Sequence, residues 1–297
     1  MNINELQSKF NSRHVTIQAG CGGLPMVKIA NAAATAEICL LGAHVMSYVP
    51  AGQQDVLWMS PEAIFAEGTA LRGGIPVCWP WFSKHPDIPE GPTHGCVRQW
   101  LWDIDSVCDG DDSSTRVTFA LSDNAHSRAH WPYAFDVKLE VTIGKALELK
   151  LIQHNTDSRS VVLSNALHTY FNIGDVSRIR IKGFDGLQYV NKVGEIRTET
   201  RHGDIVIDRE VDEVYQNCAT PAYIHDAVFG RTIVIEKSGS QSAVVWNPWN
   251  AKSQRMSDFP NDGYKTMVCV ETANAMDNAF ELAPGETATL YTKIYVK

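Results

Sequence analysis

Phe135-Asp-Val-Lys-Leu-Glu-Val-Thr-Ile143 decides the fold, because apolar and polar residues alternate there at every step. Successive side chains of an extended strand point to opposite faces, so this order buries one face and wets the other. Gly144-Lys145 follows, and Leu147, Leu149 and Leu151 then resume in phase. The two runs predict an antiparallel hairpin with one buried face. Outward from it, residues 116–121, 178–181, 232–236, 243–246 and 287–296 read as further strands. Helical signals are few. Ser122-Asp123 is the expected cap of a short helix over residues 124–131, stopped by Pro132, and residues 61–66 predict another turn or two. No low-complexity linker and no fixed-period repeat interrupts the pattern. Many short strands and few helices predict an all-β fold. The expected form is a large antiparallel β-sandwich with few short helices, with residues 1–297 as one domain.

Composition bounds the function. Hydrophobic residues are 44% of the 297 and charged residues 20%, enough for a large core and incompatible with global disorder. Lys plus Arg total 26 against 34 Asp plus Glu, a net charge of −8. Nucleic acids and anionic membranes both need a positive field, so neither is an expected partner. The seven Cys include no Cys-x-x-Cys pair, and Cys39, Cys78 and Cys269 sit among apolar neighbours as small core residues. A reduced, cytoplasmic setting is expected. The opening Met-Asn-Ile-Asn-Glu-Leu-Gln-Ser-Lys-Phe lacks the apolar region of a signal peptide. No run of about 18 apolar residues is present to span a membrane.

Residues 72–98, RGGIPVCWPWFSKHPDIPEGPTHGCVR, do not read as a strand. Gly and Pro fill a third of the segment, which also carries Trp79, Trp81, Phe82, His85 and His94. A long irregular segment in a compact domain is either functional or disordered, and three large aromatics favour an ordered, pocket-lining loop. The alternative is a surface loop packed on its own aromatics.

No Walker loop, His-Glu-x-x-His pair or dinucleotide glycine fingerprint occurs, and the ten His are not spaced as a metal cluster. Neither cofactor nor metal is expected. Three local constellations carry candidate chemistry. His168 ends an apolar run beside Tyr170 and Phe171, as either a proton-transfer group or a core histidine satisfied by backbone. Glu271 follows Val268-Cys-Val, as either a buried carboxylate of raised pKa or an outward-facing one at a strand end. Arg72, His94 and Arg98 share one Gly-rich segment. They converge on a phosphate or carboxylate, or else the two Arg are solvated.

Several of these segments together resemble the aldose 1-epimerase superfamily, and within it the hexose-6-phosphate mutarotase (glucose-6-phosphate 1-epimerase) branch. They are Arg72-Gly-Gly-Ile-Pro-Val-Cys-Trp-Pro-Trp-Phe82, His94-Gly-Cys-Val-Arg98, Leu167-His-Thr-Tyr-Phe-Asn-Ile-Gly-Asp175, Asp212-Glu-Val-Tyr215, Val245-Trp-Asn-Pro248, Asp262-Gly-Tyr-Lys265 and Val270-Glu-Thr272. The first run is the most specific. Leu167 stands where the wider superfamily has Asn before its histidine, as in the phosphate-sugar branch, and Cys96 replaces a common aromatic. The resemblance implies a galactose mutarotase-like sandwich with the sugar in an open cleft. It implies His168 and Glu271 as the proton-transfer pair, Arg72 and Arg98 as phosphate ligands, and His94 and Asp212 as sugar contacts. It further implies a monomer whose partner is a small sugar phosphate.

The expected reaction is exchange of α and β anomers by ring opening. Three rivals stand beside it. A mutarotase for unphosphorylated aldoses keeps His168 and Glu271 without needing both Arg. A non-catalytic carbohydrate-binding module uses Trp79, Trp81 and Trp246 as stacking platforms. A two-carboxylate glycosidase lacks a second distinctive carboxylate here.

Overall fold

The computed structural model describes residues 2–10, 12–88, 90–110 and 113–297. Met1 and Pro89, which fall in stretches read above, lie outside them.

Two antiparallel eight-stranded sheets form the body. The hairpin that decided the fold is present as Phe135–Ile143 paired with Leu147–Asn155, Leu139 facing Leu151. It sits in a sheet ordered Ile179–Lys182, Ala222–Asp226, Arg231–Ser238, Thr287–Val296, Leu147–Asn155, Phe135–Ile143, Thr115–Ser122, Asp103–Asp109. Odd-numbered residues of 135–143 are buried, as the alternation requires. The second sheet runs Arg197–Thr200, Gln188–Asn191, Val211–Tyr215, Ser242–Asn247, Met267–Asn274, Asn165–Leu167, Val77–Cys78, with Tyr170–Asn172 also pairing with Met267–Asn274. Thr272 donates to Thr292 at 3.1 Å across the interior between the two sheets. One cluster of buried side chains draws on both, from Phe10 to Ile294, and is the sandwich core. A four-stranded sheet, Val15–Ala19 to His44–Pro50, and a two-stranded one, Val161–Leu163 with Phe280–Leu282, complete the structure.

Met267–Asn274 is buried at every position. Val268 and Val270 join the sandwich core, whereas Met267, Cys269 and Ala273 belong to clusters on the opposite face. Glu271 shares that second face, because side-chain direction has period two.

Three local expectations are corrected. The helix is Ala125–His130, and its cap is Asn124, whose side chain accepts from the His126 and Ser127 amides. Asp123 is unavailable as a cap because its carboxylate takes the Phe135 amide and Arg128. Of residues 61–66, expected to form a helical turn or two, only 61–62 make a turn and no helix forms. Within 72–98, Val77–Cys78 is a short strand pairing with Ala166 and Leu167, and Val97–Gln99 forms a 3₁₀ turn. Cys39, Cys78 and Cys269 are buried, and all seven Cys are free. Among the described residues, no helix is long and apolar enough to cross a membrane.

Candidate active site

Cross-strand register builds the site. On the outward face of the second sheet, Asp212 stands opposite Trp246, Trp246 opposite Cys269, and Cys269 opposite Tyr170. One step along, Val244 stands opposite Glu271. Directly opposed residues have β-carbons roughly 5 Å apart, so these side chains form a continuous floor. Residues 72–98 supply the wall. The cavity between them is about 320 Å³, lined by Arg72, Phe82, His94, Arg98, His168 and Glu271 together with Tyr170, Lys192, Asp212, Trp246, Lys252 and Met256. All six sequence-predicted site residues therefore meet in one cavity. The segment 72–98 lines a pocket, as expected. Of the three proposed stacking tryptophans only Trp246 lies in the cavity. Trp79 is a core residue that donates to Gln153, and Trp81 is buried.

At the floor, His168 Nδ1 lies 3.4 Å from Glu271 Oε1. His168 is 8% exposed and Glu271 2%. His168 is held by its amide, which donates to the Pro76 carbonyl, and by its ring, which stacks on Tyr170 at 4.8 Å. Glu271 Oε2 is buried with no hydrogen-bond partner. Burial pushes the Glu271 carboxyl well above the usual carboxylate range, and neighbouring Asp212 pushes it the same way. Burial pushes His168 well down, helped by His94, Arg98 and Arg72. Both shifts disfavour charge, so burial favours the neutral form of each group, protonated Glu271 and unprotonated His168.

His94 is fixed by an unusual backbone. Its φ is 61° and that of Gly95 is 73°. A β-carbon at Gly95 would stand 2.0 Å from the Trp79 carbonyl oxygen, so only glycine fits. The Ser83 amide donates to His94 Nδ1 at 3.4 Å, leaving the proton of the neutral ring on Nε2. Burial, then Arg98, holds the His94 pKa down to about 3, so the ring stays neutral and donates from Nε2.

The cations differ in how free they are. Arg72 is clamped by Asp258, with Nε and NH2 each 3.1 Å from Oδ2, and its NH1 donates to the Tyr170 hydroxyl at 3.0 Å. Tyr170 and then Asp258 push its pKa up. Lys252 pairs with Glu210 at 3.0 Å and Lys192 with Asp212 at 3.9 Å. Arg98 has no carboxylate within ion-pair distance among the described residues; its NH2 donates to the Thr93 carbonyl, and its Nε is buried without a partner. Arg98 is therefore the cation most available to an anion. Lys192, Lys252, Met256 and Asp258 were missed by sequence reasoning. Each is a lone residue in a loop or one-turn helix; the fold brings Lys192, Lys252 and Met256 to the cavity and Asp258 to Arg72.

The sequence matches the aldose 1-epimerase family over residues 25–295. A provisionally named glucose-6-phosphate 1-epimerase of Salmonella typhimurium is 36% identical over 269 residues, covering 89% of each chain. A similarly named protein of Cenchrus ciliaris is 35% identical, covering 84% of this chain and 78% of its own. The crystal structure of a provisionally named mutarotase from Salmonella typhimurium superposes with a TM-score of 0.90 at 32% identity, covering 96% of this chain and 94% of its own. A galactose mutarotase-like protein from Lactobacillus casei shares the fold, with a TM-score of 0.72 at 18% identity.

Proposed function

Since the chain belongs to the aldose 1-epimerase family, we propose that it interconverts the α and β anomers of a hexose 6-phosphate, with glucose 6-phosphate as the reference substrate. The observation that carries this reading is the buried His168–Glu271 pair at 3.4 Å in a cavity that also holds Arg98, which has no carboxylate partner among the described residues. The pair suits acid–base ring opening, and the free guanidinium suits a phosphate ester.

Ring opening needs one proton removed from the O1 hydroxyl and one delivered to the ring oxygen O5. Glu271 as carboxylate takes the O1 proton while His168 as imidazolium gives its proton to O5. The C1–O5 bond breaks and C1=O1 forms. Rotation about C1–C2 presents the other face of the aldehyde. O5 then attacks C1, His168 recovers the O5 proton, and Glu271 returns its proton to O1. The count of protons on the pair is one throughout. The open-chain stage has neutral His168 and protonated Glu271, the form that burial of the two groups favours. The cyclic stage needs the proton on His168. A bound phosphate dianion supports that transfer, because it offsets the Arg98 and Arg72 charges that depress His168. His94 and Asp212 are the proposed sugar contacts, Arg98 the phosphate anchor and Arg72 a second positive charge. Trp246 offers an apolar face to the ring. Residues 1–297 are read as one domain, in keeping with a core that draws on both ends of the chain.

The test is anomer equilibration of α-glucose 6-phosphate and of α-glucose, followed by NMR or polarimetry with and without the protein. Acceleration of the phosphate ester alone is expected. Acceleration of the free sugar alone assigns the enzyme to unphosphorylated aldoses, and binding without acceleration removes catalysis. Arg98→Ala is expected to lose activity selectively on the ester, since remote phosphate contacts supply binding energy used at the reacting centre. Equal loss on both sugars removes the phosphate role.

A further inference from the structure

A second cationic depression lies apart from the catalytic cavity and shares none of its lining residues. It measures about 300 Å³ and is lined by Arg178, Arg180, His225, Arg231 and Lys297, with Asp226 the acidic member. On a chain of net charge −8, such a concentration of positive charge has a local cause. Elsewhere acidic neighbours absorb many of the cations, as in Lys28–Glu37, Lys138–Asp105 and Arg201–Glu213. Here, among the described residues, no carboxylate stands within ion-pair distance of Arg178, Arg180, Arg231 or Lys297.

The acids nearby are otherwise occupied. Asp226 is buried, and its two oxygens accept from the amides of Gly174, Val228 and Phe229. Asp175 caps the turn at Val176–Arg178 by accepting from Ser177. The main-chain oxygen of Lys297 accepts from the Thr232 amide, and His225 Nδ1 is bonded to the Thr232 hydroxyl. Arg231 is 5% exposed, and its guanidinium meets dipoles and an aromatic face: NH1 donates to the Gln54 carbonyl, NH2 to those of Asp55 and Asn172, and the group lies 5.1 Å from the centre of the Phe229 ring. Its Nε is buried without a partner. Burial pulls its pKa down, while Asp226 and Asp55 act on it only from a distance. A buried cation compensated by carbonyls and a ring face, with no carboxylate bonded to it, leaves positive potential at the surface above it. Arg178 and Arg180 are exposed on either side of Ile179 and line the depression; neither has a carboxylate partner among the described residues, and Arg180 NH1 donates to the Ile179 carbonyl at 2.7 Å.

We propose that this depression is a second oxyanion site, which takes a phosphate group, either free or esterified to a small metabolite. Planar guanidinium forks match tetrahedral oxyanions in two-point fashion, and Arg231 supplies fixed charge beneath. The volume admits a molecule of sugar-phosphate size. Arg231 also links this site, through its bond to the Asn172 carbonyl, to the strand Tyr170–Asn172 that carries Tyr170 in the catalytic cavity.

The experiment is amide NMR of the intact protein titrated with inorganic phosphate, with glucose 6-phosphate, and with sodium chloride at matched ionic strength. Saturable shifts are expected at residues 178–182 and 230–232, separately from those at the catalytic cavity. They should weaken at least about tenfold in Arg178→Ala/Arg180→Ala, while that variant keeps its overall spectrum and its anomerisation rate. Saturation by inorganic phosphate identifies the free anion as sufficient; saturation by the ester alone identifies a phosphorylated metabolite. Equal shifts with chloride, or unchanged affinity in the double variant, overturn the site.

Discussion

Glu271 sits where a carboxylate is least favoured, 2% exposed with one oxygen unpartnered. Its folded pKa lies above its unfolded value of about 4.5. Such a group contributes stability below the unfolded pKa and loses it as pH rises through the folded pKa. Glu271→Gln is therefore expected to melt higher than wild type near pH 7–8, by about 2–4 °C per kcal/mol gained, with the gap closing toward pH 4. Calorimetry across that range checks it; equal or lower melting throughout removes the burial argument. The same variant, and His168→Asn, should lower anomer exchange by roughly 10²–10⁴-fold each. A wild-type rate in either sinks the proton-transfer assignment. The pH–rate profile of the native enzyme should be a broad plateau. It falls on the acid side when the pair gains a second proton, at the depressed His168, and on the alkaline side when raised Glu271 loses the last one. A single sharp transition near pH 6.5 would contradict it.

The elements differ in how plainly the sequence declares them. Phe135–Ile143 has one wet face, so its alternation is legible, and its partner strand follows in phase. Met267–Asn274 has none, so its residues read as a plain apolar run and the orientation of Glu271 stays open until register is known. The N-terminal four-stranded sheet escapes for a similar reason: His44–Pro50 is buried at five of seven positions. Arg72 and His94 were legible as neighbours in a Gly-rich segment, but the Asp258 clamp on Arg72 spans 186 residues of chain and leaves no local trace. Backbone geometry decides the wall. Gly95→Ala places a β-carbon against the Trp79 carbonyl at φ 73°. A left-handed alanine costs about 1–3 kcal/mol before that clash is added. The expected result is a lower urea midpoint together with a lower rate, since His94 and Arg98 flank the site. A variant of native stability and activity would show that the segment relaxes freely.

Across the whole molecule, charge and site pull in opposite directions. The net charge of −8 disfavours long-range attraction of an anionic sugar, while Arg98, Arg72 and two lysines in the cavity are the proposed source of attraction at close range. Salt should therefore act on capture more than on turnover. Between low and 0.5 M salt, KM for glucose 6-phosphate is expected to rise several-fold with kcat nearly constant, and KM for free glucose to stay flat if it is a substrate at all. A salt-sensitive kcat with an insensitive KM would place the charges in the chemical step instead. One feature of the architecture bears on inheritance. Each residue of Met267–Asn274 answers either to the sandwich core or to the cavity side, with no position left to solvent. A mutation in this strand meets both demands through one shared backbone, so organismal selection cannot tell a folding lesion from a catalytic one there. Sequence drift has little neutral ground on that strand and finds more on wet faces such as the even-numbered positions of 135–143.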